Sequence, residues 1–138
     1  MPIVVDASLV TVLATRDPRV GSVETRIRTW LDAGEELHAP MLLQYEVANA
    51  LTRLIVAGRL TADDFAEAWQ VVEGIPIHLH PLSDATRVVA TAQRLGRASA
   101  YDAAYIVLAE QINAELWTLD GPLARNAGGL GFPVHLIQ

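Results

Sequence analysis

The chain contains no cysteine. That one absence removes disulfides, thiolate metal sites and cysteine nucleophiles together, and it suits a reducing compartment. Lysine is absent too: all 10 basic residues are arginine. Chemistry that depends on a lysine is therefore excluded, whereas arginine suits bidentate contacts to phosphate. Long apolar runs are also missing. None approaches the ~20 residues that span a bilayer. The opening Met-Pro-Ile-Val-Val-Asp has no basic residue ahead of its apolar stretch, which Asp6 interrupts. No secretory signal is expected, and the protein is expected to be cytoplasmic with no membrane partner. There is no internal repeat, linker or low-complexity segment.

What is present is a chain of 138 residues, 51% hydrophobic and 19% charged, with mean hydropathy +0.27. That is enough to bury a real core, and the length fits a single domain over residues 1–138. The net charge of −6 and a pI near 5.0 run against nucleic-acid binding, which usually goes with a basic surface. The objection weakens if several acids share one metal site. Four clustered carboxylates would absorb four of the 16 acidic residues, and bound cations would offset them.

Apolar patterning alternates between strand and helix along the whole chain. Residues 2–5 form a short apolar run that reads as a buried strand. Residues 8–14 can be helical until Asp17-Pro18 breaks them. In residues 21–33, Val23, Ile27, Trp30 and Leu31 recur at the spacing of an amphipathic helix. Residues 36–39 predict a second strand, closed by Pro40. Residues 41–57 predict the strongest helix, with Leu43, Val47, Ala50, Leu51, Leu54 and Ile55 on one stripe and Glu46, Asn49 and Arg53 on another. Helices are expected over 61–73, 83–95, 99–113 and 122–127. Strands are expected over 75–82, 115–119 and 132–137. The alternation implies an α/β fold with a mainly parallel central sheet of about five strands, flanked by helices. The glycine cluster Gly128-Gly129 to Gly131 lacks the Gly-Lys-Ser/Thr that a phosphate loop requires.

Ligands in open α/β sheets bind beyond the carboxyl ends of the strands. Asp6 follows the first strand and Asp120 the fourth, while Glu46 and Asp102 stand near helix starts. Each has a structural reading: Asp6 as an N-cap, Asp120 as a turn residue before Gly121-Pro122, Asp102 as half of a capping box with Ser99, and Glu46 as an exposed helical acid. Their surroundings argue for more. Asp102 lies in Ala-Tyr-Asp-Ala-Ala-Tyr-Ile-Val-Leu-Ala, and Val-Val-Asp and Trp-Thr-Leu-Asp both put an acid at the end of an apolar strand. Charges in such settings need a partner or a metal.

The blocks Val-Val-Asp6-Ala-Ser8, Pro40-x-Leu42-x-x-x-Glu46-Val47-x-Asn49-x-Leu51, Ala100-Tyr101-Asp102-Ala103-x-Tyr105 and Thr118-x-Asp120 resemble the PIN domain, in its order and at its spacing. The resemblance covers essentially the whole chain and is closest to the small VapC-type toxins of bacterial toxin–antitoxin pairs. It implies a PIN fold and metal-dependent endoribonuclease activity on structured RNA such as tRNA or rRNA, with 5′-phosphate and 3′-hydroxyl products. It also implies that Asp6, Glu46, Asp102 and Asp120 hold the metal, supported by Ser8, Asn49 and Thr118. A VapB-type antitoxin and a homodimer are the partners it implies. An oxygen-only site favours Mg²⁺ or Mn²⁺, which would lower the pKa of a coordinated water and neutralise charge on the phosphate.

Other acidic pockets at this end of a parallel sheet fit less well. Haloacid-dehalogenase-like phosphatases and response-regulator receivers need a lysine, and Asp6 is followed by Ala7-Ser8, not by a second aspartate. The rival from another class is a PIN scaffold that grips RNA or a partner without cutting, which metal dependence of cleavage would separate.

Peripheral features carry less. Arg16, Arg19, Arg53, Arg59, Arg94, Arg97 and Arg125 are the phosphate-binding candidates, although any one of them reads more readily as a solvated surface residue. His78 and His80 share one strand face, but a zinc site needs further ligands that the sequence does not make evident. The tryptophans and Tyr45 read as core or interface. Phe65, Trp69 and Val72 read equally as an antitoxin-docking face or as packing within the domain or a homodimer.

Overall fold

Ile3, Val4 and Val5 are all buried, the continuous apolar run expected of a strand covered on both faces. They form β1 (Ile3–Val5), the centre of a five-stranded sheet in the order β3-β2-β1-β4-β5. The other strands are β2 (Leu37–Pro40), β3 (Ile77–His80), β4 (Glu115–Thr118) and β5 (Val134–Leu136). Every pairing is parallel, with Ile3 beside both Leu37 and Glu115, and Val5 beside Trp117. The computed structural model describes residues 1–97 and 99–138.

Parallel neighbours require crossovers, and helices supply them. After β1 come α1 (Ala7–Thr15) and α2 (Val20–Asp32); after β2, α3 (Leu42–Val56) and α4 (Ala62–Gly74). After β3 come α5 (Ala85–Leu95) and α6 (Tyr101–Gln111), and α7 (Gly121–Gly129) joins β4 to β5. The strand order reverses direction between β1 and β4. That is the topological switch point, where an open sheet leaves a crevice at its carboxyl edge.

Helix α6 holds the centre. Ala103, Tyr105, Ile106, Val107, Leu108 and Ala109 are all buried, because the helix packs on β1, β2 and β4 while α5 covers it. An all-round apolar helix is what such a sandwiched position requires. On α4, Val72 is buried and Phe65 and Trp69 pack against the core. They pack within the domain, with α1 as the neighbouring helix. Trp30 is buried against Trp117, and Trp69 and Trp117 also pack on the core.

Two expectations need adjustment. The helix expected from Ser99 starts at Tyr101, and its N-cap, Ala100, has no side-chain cap. The Ser99–Asp102 capping box does not form: Ser99 Oγ accepts from the Tyr101 N–H at 3.3 Å, leaving Asp102 to other partners. Tyr45 is 78% exposed, which leaves the interface half of its expected core-or-interface reading. The strands over 75–82 and 132–137 are trimmed to Ile77–His80 and Val134–Leu136, with Pro76, Pro81 and Pro133 just outside them, where a missing N–H disrupts no ladder.

Candidate metal-binding active site

Asp6 is the first residue past β1 and the N-cap of α1. Its Oδ1 accepts from the Ser8 N–H at 3.0 Å, the Leu9 N–H at 3.4 Å and the Ser8 hydroxyl. Capping is therefore real, and it orients the carboxylate. The second oxygen, Oδ2, accepts from the hydroxyl of Thr118, the last residue of β4 and fully buried. The β1–β4 register, which pairs Val5 with Trp117, is what brings these two positions side by side.

Both hydroxyls are themselves held from behind. Ser8 Oγ accepts from the Leu119 N–H at 3.1 Å, and Thr118 Oγ1 accepts from the Asp120 N–H at 3.0 Å. Each backbone donor on the β4 exit thus fixes a hydroxyl, and each hydroxyl donates to one oxygen of Asp6. Two relays tie the carboxyl ends of β1 and β4 together. Asp120 in turn caps α7, accepting from the Leu123 N–H at 3.0 Å.

Glu46 and Asp102 approach from the helices. Glu46 Oε1 accepts from the Tyr105 hydroxyl at 2.6 Å. Tyr105 stands on buried α6, one turn after Asp102, so a single helix face carries both groups. Asp102 Oδ2 lies 3.9 Å from Arg97 Nε.

The electrostatics mark the acids as one cluster. Burial pushes Asp6 up to about 6, against the pull of its Ser8 and Thr118 hydrogen bonds. Glu46 is raised by burial and by the charge of Asp102, with the Tyr105 hydrogen bond opposing. Asp102 is raised by burial and by Asp120, with Arg97 opposing. Tyr105 is raised strongly, by burial first and then by Glu46, Asp6 and Asp102, so its proton stays on oxygen and the hydroxyl acts as a donor. Like charges raising one another at a desolvated edge are what a bound cation would relieve.

The donor set, four carboxylates without nitrogen or sulfur, fits a hard divalent cation. Among the described residues, no three His, Asp or Glu side chains are already arranged to hold one. The fit is one of chemistry and placement, and the side chains must close further around an ion.

The supporting residues divide. Ser8 and Thr118 sit in the relays described. Asn49 is exposed, and among the described residues its side chain has no hydrogen-bond partner. Tyr105 was not singled out as a site residue on the sequence, although its i+3 spacing from Asp102 was a usable signal. Of the arginines, Arg97 faces Asp102, and Arg125 folds over Gly121 beside Asp120, where a methyl group would meet Nη1 at 3.1 Å. Arg19 pairs with Asp17, and Arg94 lies over the Phe132 ring.

Comparison with known proteins identifies the family. The family model described as "PIN domain" matches residues 3–129. Ribonuclease VapC3 of Pyrobaculum aerophilum is 34% identical, over 96% of this chain and 100% of the relative. Ribonuclease VapC9 of Mycobacterium tuberculosis is 34% identical over 78% of this chain and 82% of its own length. A crystal structure of PAE2754 from Pyrobaculum aerophilum superposes with a TM-score of 0.69 at 25% identity, covering 91% of this chain and 79% of that one.

Proposed function

Because the chain belongs to the PIN-domain family, we propose that it is a metal-dependent endoribonuclease, the VapC-type toxin of a toxin–antitoxin pair, acting as one domain over residues 1–138. The observation that supports this reading is the Asp6 carboxylate gripped on both oxygens at the β1–β4 switch point, with Asp102 near enough to Glu46, and Asp120 to Asp102, for their charges to act on one another. The relatives named ribonucleases support the reaction class.

In this reading Asp6, Glu46, Asp102 and Asp120 hold Mg²⁺ or Mn²⁺, which when bound activates water and neutralises charge on the phosphate. The chain's own groups prepare the site. Ser8 and Thr118 hold the Asp6 carboxylate in one orientation, so little ordering remains when a ligand arrives. The Tyr105 hydroxyl turns Glu46 toward the crevice and keeps its own proton at neutral pH. Arg97, 3.9 Å from Asp102, and Arg125, folded over Gly121 next to Asp120 in the chain, are assigned to the RNA backbone. Structured RNA such as tRNA or rRNA is the substrate class, and the cytoplasm is the compartment.

A VapB-type antitoxin and a second copy of the chain complete the proposal. Beside the acids lies an apolar cleft of about 430 Å³, edged by the exposed Met41, Tyr45, Leu82 and Tyr101. An exposed apolar surface of this kind is assigned to the second copy. Light scattering should give a dimer, and Tyr45→Asp a monomer; a wild-type monomer at micromolar concentration would remove the assignment.

Cleavage of total cellular RNA by purified, antitoxin-free protein tests the activity, with Mn²⁺, Mg²⁺ or EDTA, beside Asp6→Ala and Asp102→Asn. Discrete fragments should require metal and disappear in both variants. Metal-dependent cleavage retained in both, with folded protein, would overturn the site.

A further inference from the structure

At the β3–β2 edge of the sheet, away from the β1–β4 switch point, four side chains from β2, β3 and the residue preceding β2 converge. The parallel register sets His38 beside His78 and Pro40 beside His80, so the three imidazoles share one face of the sheet. The His38 and His78 rings lie 4.9 Å apart and the His38 and His80 rings 5.1 Å apart. His38 Nδ1 and His80 Nε2 are 2.8 Å apart, a hydrogen bond. Glu36 reaches the same place: its Oε1 lies 3.6 Å from His38 Nε2, and its Oε2 lies 3.6 Å from His78 Nε2.

His38 Nε2 is buried and, among the described residues, has no hydrogen-bond partner. If it carries the ring proton, the 3.6 Å to Glu36 is too long to satisfy it. If Nδ1 carries the proton and donates to His80, Nε2 presents a bare lone pair toward a carboxylate. A cation between them would satisfy the lone pair, the second imidazole and the carboxylate together. A ligating histidine whose other nitrogen donates to a second group is the usual arrangement around bound metals. Tetrahedral N and O ligands at zinc distances stand roughly 3.4 Å from one another, close to the 3.6 Å spacing found on both sides of Glu36.

We propose that Glu36, His38 and His78, with His80 orienting His38, form a second cation site, selective for a borderline dication of the Zn²⁺ type and separate from the acidic site. The three ligands do not yet close around one point among the described residues. His78 and Glu36, at 58% and 65% side-chain exposure, are the two free to move inward. A bound ion staples the edge strand β3 to β2, so occupancy raises thermal stability.

The test is a Zn²⁺ titration of the EDTA-treated full chain against a chromophoric chelator, with excess Mg²⁺ present to occupy the acidic site. One Zn²⁺ per chain is expected, with a rise in Tm. His78→Ala and Glu36→Gln, both at exposed positions, should each weaken it by at least about tenfold, and His80→Gln by about 10- to 100-fold through loss of orientation. Asp102→Asn should leave it unchanged. The absence of Zn²⁺ binding in competition with the chelator overturns the proposal. So does binding that ignores His78→Ala and Glu36→Gln, or that is lost in Asp102→Asn.

Discussion

In the absence of metal, Asp6→Asn should make the protein more stable at pH 8, and the gain should vanish in acid. Asp6 is ordinarily a group of pKa 3.8, raised to about 6 in the folded chain because burial outweighs its four hydrogen bonds. A carboxyl with a raised folded pKa favours the fold while it is protonated. That contribution is fully present below about pH 3.8 and is lost as pH rises through about 6. The difference between the two values corresponds to about 3 kcal/mol. Asparagine keeps the shape and an acceptor oxygen for the α1 cap but carries no charge. The stability gap between variant and wild type should therefore widen by about 3 kcal/mol between pH 3.5 and pH 8, or roughly 10 °C in Tm for a chain of this size. Urea or thermal unfolding followed by circular dichroism, in EDTA across that pH range, measures it. Millimolar Mg²⁺ or Mn²⁺ should reverse the order at pH 8, because the ionised wild type gains a ligand that the variant cannot hold well. A gap that does not change with pH, or an Asp6→Asn protein less stable than wild type at pH 8 in EDTA, would refute the claim that Asp6 is held ionised at a cost.

The same reasoning extends to its neighbours. Thr118→Val removes the donor to Asp6 Oδ2 and the acceptor for the Asp120 N–H, and should destabilise the protein by about 1–3 kcal/mol; urea midpoints at pH 7 report it. Tyr105→Phe strips Glu46 of its hydrogen bond. It should lower the rate of RNA cleavage and move the rising limb of the pH–rate profile to higher pH, since the lost bond favoured the ionised form. Apparent Mg²⁺ affinity, read by calorimetry, should fall by about tenfold per pH unit below pH 6, because one proton must leave Asp6 for each ion bound.

Much of this was legible in the order of residues. β1 and β4 announce themselves as apolar runs ending at an acid, and the helix over 41–57 as a stripe beginning after Pro40; the structure places α3 at Leu42–Val56. The sequence could not show which strands are neighbours. That Thr118 donates to Asp6, 112 residues away, depends on β4 pairing with β1 and not with β3. The start of α6 was misjudged because Ser-x-x-Asp matches a capping box on spacing alone, whereas the chain enters the helix two residues later. The histidine cluster was invisible for the same reason as the relays. His78 and His80 sit together on one strand, but His38 and Glu36 reach them only through the parallel register of β2 with β3.

The structural and functional readings of the acids turn out to be one reading. Asp6 and Asp120 do cap helices, as their positions alone would allow. An N-cap spends one oxygen on backbone N–H groups and fixes the direction of the other. In Asp6 that other oxygen accepts from the Thr118 hydroxyl, which ties it to the end of β4. Capping therefore supplies the rigidity that a metal site needs, without a separate scaffold. The cost appears as raised carboxyl pKa values, and it falls on the chain only while no cation is present. Under the proposed function, such a cluster exchanges stability in the metal-free state for an Asp6 carboxylate already oriented, so the pH dependence of stability, more than its magnitude, discriminates between a functional cluster and a set of helix caps.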